Sequence, residues 1–186
     1  EDLVRVFEHN RIPTRLVQGE KCCGMPKLEH GDLQSVAALK EHNIPILAQA
    51  IRDGWDIVAP VPSCVLMFKQ ELPLMFPDDP LVQKVRGRVF DVFEYLMLRH
   101  KAGLLDTNFP VSLGKVAYQV ACHQRVQNIG LKTKDVLSLI PGTEVKAIER
   151  CSGHDGTYAV RKETFERAMK IVKPVVGRVN QARPDH

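Results

Sequence analysis

The chain has 186 residues, 44% hydrophobic and 26% charged, with 12 glycines and 12 prolines; this excludes collagen-like and disordered classes and suffices for one domain or two small ones. A net charge of +4 without clustering and only 6% aromatics argue against nucleic acid as a partner. No apolar run approaches the ~18 residues of a membrane helix and no signal-peptide pattern opens the chain, so five cysteines, an odd number, point to reduced thiols in a cytoplasmic setting.

The chain opens inside an element, with Leu3, Val4, Val6 and Phe7 at helical spacing. Arg15-Leu16-Val17-Gln18 reads as a short strand before the Cys22-Cys23-Gly24 turn. Asp32 caps a helix through Leu33, Val36, Ala37 and Leu39; Asn43 and Pro45 are expected to break it and cap a second, which Gly54 ends. Asp56–Ala59 has the length of a buried parallel strand. After the Asp79-Pro80 cap, Leu81, Val85, Val89, Val92, Phe93, Leu96, Met97 and His100 predict one five-turn helix stopped by Gly103.

A second round follows. Val116–Val120 reads as a strand, Lys134–Ile140 as a helix ended by Pro141-Gly142, and Val145–Ile148 as a strand. A last helix starts near Lys162, with Phe165, Ala168, Met169 and Val172 on one face and Pro174 kinking or ending it. This alternation predicts an α/β fold of two similar small halves, each a short parallel sheet flanked by helices and related by pseudo-twofold duplication. The halves are expected at residues 1–104 and 105–186.

A short repeat supports the duplication. Glu20-Lys21-Cys22-Cys23-Gly24 recurs as Glu149-Arg150-Cys151-Ser152-Gly153, each copy after a predicted strand and before a predicted helix. Cys64 and Cys122 also follow predicted strands, so all five cysteines fall at carboxyl ends of strands, where open α/β sheets bind ligands and helix N-termini favour thiolate. No C-x-x-C pair is present, which argues against zinc ribbons and thioredoxin-like redox motifs. An adjacent Cys-Cys pair suits two irons of one cluster better than a single tetrahedral ion, and thiolates are the usual ligands of iron–sulfur clusters.

Cys22-Cys23-Gly24-Met25-Pro26, Pro62-Ser63-Cys64, Ala121-Cys122-His123 and Cys151-Ser152-Gly153-His154-Asp155-Gly156 together resemble the duplicated CCG-type cysteine-rich domain. That domain occurs in the B subunit of heterodisulfide reductase and in the C subunit of anaerobic glycerol-3-phosphate dehydrogenase. The resemblance covers essentially the whole chain. It implies an iron–sulfur cluster, of [4Fe-4S] type, on Cys22, Cys23, Cys64, Cys122 and Cys151, with zinc as the alternative metal. It also implies electron transfer between a flavin dehydrogenase partner and a quinone-linked acceptor, on the cytoplasmic side and peripheral to the membrane at most. Cluster-based disulfide reduction and a zinc-bound or metal-free assembly domain are the alternatives.

Against the family's order of elements, this chain lacks the first of repeat one and the last of repeat two, as expected of a segment of a longer protein. Ser152 stands where the second Cys-Cys-Gly has cysteine, which puts the second cluster in question. Ser152 reads first as a turn-capping hydroxyl, and His123 and His154 as hydrogen-bonding neighbours of a cluster, with direct ligation the alternative for all three. Gly153–Thr157 could cradle an anion, but without G-x-G-x-x-G spacing a nucleotide site is not expected. The apolar run Val65–Phe68 and Leu72–Phe76 reads as core around the site, with partner docking as the alternative. Lys170, Lys173, Arg178 and Arg183 read as a solvated face, with weak attraction to anionic lipid as the alternative.

Overall fold

Residues 1–154 and 158–186 are described by the computed structural model, which divides into two units, Glu1–Asp106 and Thr107–His186. Each unit carries one two-stranded parallel sheet flanked by helices, the α/β class read from the sequence.

In the first unit, helix α1 (Asp2–His9) buries Phe7. The strand expected over Arg15–Gln18 does not form. These residues are irregular; Val17 packs against the core, but Leu16 is 74% exposed and the segment has no ladder partner. Helix α2 (Met25–Glu29) starts directly after Gly24.

Helix α3 (Leu33–Arg52) is capped by Asp32, which accepts the Ser35 N–H, and it runs unbroken through Pro45. The expected break at Asn43 and Pro45 is therefore wrong. Proline there removes one backbone bond and crowds the Glu41 carbonyl, a cost of about 3 kcal/mol. Burial of Val36, Ile44, Leu47 and Ala48 on one side of the helix offsets it. Asn43 caps nothing; its amide turns to the cysteine turn.

Strand β1 (Ile57–Ala59) leads through Pro60-Val61 into helix α4 (Pro62–Leu66), a π-helical turn (Met67–Glu71) and helix α5 (Leu72–Met75). Pro73 has no N–H for the Lys69 carbonyl, and a widened turn is a usual accommodation of such a gap. Val65, Leu66, Met67, Phe68 and Leu72 are core, as the apolar run predicts, while Leu74 is exposed.

Helix α6 (Pro80–Arg86), strand β2 (Val89–Asp91) and helix α7 (Val92–Lys101) replace the single five-turn helix expected here. Val85, Val89, Val92 and Leu96 are all buried, but Val89 is buried from a strand. Gly87 ends α6. Asp91 restarts the helix with a reciprocal cap: it accepts the Phe93 and Glu94 N–H groups, and Glu94 accepts the Asp91 N–H. β1 and β2 pair Ile57 with Val89 and Ala59 with Asp91.

Asp79 couples the start of α6 to α3. Its carboxylate accepts the Leu81 and Val82 N–H groups and takes a 2.7 Å bond from Lys40, which is buried and also meets Glu41. The Lys40 bond holds the Asp79 carboxyl below the usual carboxylate range. Stability from this group is therefore complete above the unfolded carboxylate pKa and is lost as pH falls through the lower folded value. Asp79→Ala is expected to cost about 1–2 kcal/mol in urea unfolding at neutral pH and to shrink the acid limb of the stability profile. Asp79→Asn, which keeps a capping oxygen, should lose the acid limb with a smaller loss at neutral pH.

In the second unit, strands β3 (Lys115–Gln119) and β4 (Glu144–Ile148) pair in register from Lys115–Glu144 to Gln119–Ile148. Helix α8 (Cys122–Arg125) and helix α9 (Lys132–Leu137) lie between them in sequence. α9 starts two residues earlier than expected and closes in tight turns at Leu139 and Ile140. A 3₁₀ turn (Tyr158–Val160) precedes helix α10 (Lys162–Ala182). Pro174 neither ends nor visibly interrupts α10. It lies on the exposed side, where water can satisfy the carbonyl it leaves free. Lys170, Lys173, Arg178 and Arg183 are exposed. Among the described residues no helix is long and apolar enough to cross a membrane.

Candidate functional site

Two elements bring three thiols together in the first unit. The chain leaves Cys22-Cys23 through Gly24, whose φ of 96° is open to glycine and strained for other residues. Cys64 is the third residue of α4, presented by the β1–α4 junction. Cys23 bonds through its sulfur to both Cys64 and Cys22, and the Met25 N–H at the start of α2 donates to it. Cys22 is exposed, and Cys23 and Cys64 are half-buried.

The electrostatics separate the pair. The hydrogen bond that Cys23 donates to Cys64, with burial, pushes the Cys23 thiol well above its ordinary range. The same bond lowers Cys64 to about 7, against the opposing effects of burial and of Cys22. The bond favours the thiol form of Cys23 and the thiolate form of Cys64, with a third sulfur beside them.

The second unit is built differently. Cys122 opens α8 three residues past Gln119 at the end of β3, and Cys151 stands three residues past Ile148 at the end of β4, so both lie at the carboxyl end of one parallel pair. The Gly153 N–H donates to the Cys151 sulfur at 3.3 Å, a bond across two residues like that from Met25 to Cys23 but one position earlier in the repeat. Cys122, Cys151, Ser152 and His154 are exposed and His123 is half-buried. The His123 carbonyl accepts from Gln127 Nε2 at 2.9 Å. Asp155–Thr157, the remainder of the expected anion cradle, lie outside the described residues. Among the described residues no group of three His, Cys, Asp or Glu side chains is arranged to hold a single metal ion.

The reading that all five cysteines end strands is corrected: Cys64, Cys122 and Cys151 do, whereas Cys22 and Cys23 follow an irregular segment. Sequence reasoning also missed Asn43. The available signal was a polar residue at helical spacing with Val36, Lys40, Ile44 and Leu47, on a face that is otherwise mainly apolar.

A thiol-bearing turn closed by a positive-φ glycine, present once in each of two parallel α/β units, defines a duplicated cysteine-rich domain. Residues 1–69 and 116–185 match the family described as CCG: Cysteine-rich domain, and the chain belongs to that family. It is 25% identical over 187 aligned positions, covering the whole chain, to the C subunit of anaerobic glycerol-3-phosphate dehydrogenase from Escherichia coli (strain K12). The chain spans 46% of that relative's length. It is 27% identical over 176 positions to lactate utilization protein A of Bacillus cytotoxicus, covering 89% of this chain and 70% of the relative. Lactate utilization protein A 2 of Bacillus mycoides is 25% identical over 175 positions, with the same coverage. No solved structure matches.

Proposed function

We propose that this chain is an iron–sulfur electron-transfer module of an oxidoreductase, related in role to the glycerol-3-phosphate dehydrogenase C subunit. One observation carries the reading: Cys22, Cys23 and Cys64 meet through their sulfurs although forty residues lie between Cys23 and Cys64. The donor set fits a cluster, because adjacent thiolates suit neighbouring irons and backbone N–H groups aimed at sulfur are among the features that set cluster potentials. Such a cluster, once bound, takes up and releases single electrons.

The chain's own part is to supply soft donors, hold them and limit water. The Cys23 bond favours the thiolate of Cys64, so less proton release accompanies ligation there. The Met25 N–H stabilises negative charge on Cys23, and the Gly153 N–H does the same for Cys151. Cys122 and Cys151 complete the ligand assignment in the second unit, with Ser152, His123 and His154 as hydrogen-bonding neighbours or ligands. A [4Fe-4S] cluster is the favoured type. Electrons pass from a flavin dehydrogenase partner toward a quinone-linked acceptor, on the cytoplasmic face. Partner subunits of an oxidoreductase are supported by the relative's name, which makes it one subunit of a dehydrogenase.

Anaerobic preparation of the full-length protein should give brown material with iron and acid-labile sulfide in equal amounts and visible absorption that bleaches on reduction. Colourless protein containing only zinc after that preparation would reject the reading in favour of a zinc-bound assembly domain.

A further inference from the structure

We propose that Asn43 is the positioning residue of the first cysteine turn, a clamp on α3 that fixes the directions in which Cys22 and Cys23 present their sulfurs. The inference rests on the ligand role given to these cysteines above. Asn43 is 1% exposed and sits mid-helix, where an asparagine is a poor helix former. Its amide is instead spent on the turn. Oδ1 accepts the Lys21 N–H at 2.8 Å, and Nδ2 donates to the Lys21 carbonyl at 3.2 Å and the Cys22 carbonyl at 3.0 Å.

Both donors of the amide are thereby used on the backbone immediately around the first cysteine. The Cys22 carbonyl belongs to the peptide that joins Cys22 to Cys23, so its orientation fixes the relative directions of the two side chains. Residues 20–23 belong to no helix or strand, so no ladder orients this peptide. The part-buried backbone groups of Lys21 and Cys22 take Asn43 as their partner instead. Two other approaches of α3 reach the flanking glycines, Gly19 and Gly24, and not the cysteine peptides. His42 Nε2 lies 2.7 Å from the Gly19 carbonyl on the exposed side, and a Cβ at Gly24 would meet Leu39 and the Val36 backbone at 3.6 and 3.9 Å.

The second unit repeats this arrangement with different parts. Lys21 and Arg150 are equivalent positions of the sequence repeat, each just before its cysteine. The Arg150 carbonyl also accepts from a carboxamide, Gln119 Nε2 at 2.8 Å, which also donates to the Val120 carbonyl at 2.9 Å. In one unit the amide comes from a helix and in the other from a strand, yet both grip the same carbonyl of the repeat. A merely space-filling polar residue would have no reason to recur there.

The test uses the full chain with Asn43→Asp, which keeps the volume and the acceptor but removes both donors, and Asn43→Ser as a second, smaller replacement. His42→Ala serves as the comparison, and thermal unfolding confirms which variants are folded. In reconstituted protein, loss of iron to a chelator should be about 10–100-fold faster in a folded Asn43 variant than in the parent, with an altered paramagnetic signal after reduction, and His42→Ala close to the parent. In metal-free protein, the equilibrium between the Cys23–Cys64 dithiol and its disulfide in a glutathione buffer, read by mass spectrometry, should shift toward dithiol by about tenfold, since the sulfurs lose effective concentration. A folded Asn43 variant matching the parent in both measurements overturns the clamp. A parent that takes up no iron overturns the iron–sulfur reading alone, and the glutathione equilibrium then decides the clamp by itself.

Discussion

Cys23→Ser is expected to reduce iron and sulfide in the reconstituted protein to below about one tenth of the parent, since even changes outside the ligand shell cost 10–100-fold. The substitution is informative because it leaves the geometry nearly intact. A serine hydroxyl can still donate to Cys64, so Cys64 should keep a pKa below its ordinary value, as the parent bond gives it. What disappears is the soft donor placed between Cys22 and Cys64. A visible spectrum unchanged from the parent would remove Cys23 from the ligand set. Because thiol ligands bind deprotonated, iron uptake in the parent should weaken as pH is lowered through about 7, where Cys64 gains its proton.

Gly153→Ala is expected to destabilise the chain by about 2–4 kcal/mol, from a left-handed backbone penalty of about 1–2 kcal/mol and overpacking of similar size. Gly153 has φ of 73°, and a Cβ there would stand 2.7 Å from the Ala168 carbonyl oxygen and 3.2 Å from Ile171 Cβ. Both belong to α10, so the obstacle is helix backbone and cannot swing aside. Gly24 offers the control, because its φ is also positive but its Cβ would meet neighbours only at 3.5–3.9 Å. Gly24→Ala should therefore cost the backbone penalty alone, about 1–2 kcal/mol. Urea unfolding followed by circular dichroism measures both. Equal losses would show that α10 does not press on the Cys151 turn as described.

The fold class was legible because the signals that carry it are local. Capping residues at Asp32 and Asp79, apolar runs at Ile57–Ala59 and Val145–Ile148, and Gly54 and Gly103 beyond helix ends all act within a few residues of themselves. What misled the reading was decided at a distance. Pro45 stays helical because the helix on both sides of it is buried. Val89 is a strand residue because Ile57 lies beside it, although its spacing from Val85 and Val92 also fits a helix. Arg15–Gln18 has strand composition and no partner. The cysteines were legible as a set through the repeat, but the closeness of Cys23 to Cys64 depends on the β1–α4 junction, and the work of Asn43 on a turn about twenty residues earlier in the chain.

The first sheet is only three residues deep, and its partners enclose the whole of α4 to α6. Loop-closure entropy must be met before such a ladder returns any stabilisation, so pairings of this kind form late in folding. Cys64 stands on the first turn after that ladder. The thiols of the turn and of α4 therefore come within reach of one another only as the unit completes its topology. Under the proposed ligand role, uptake of metal would draw the folding equilibrium forward by mass action, and a loaded site would act as a lock on chain topology.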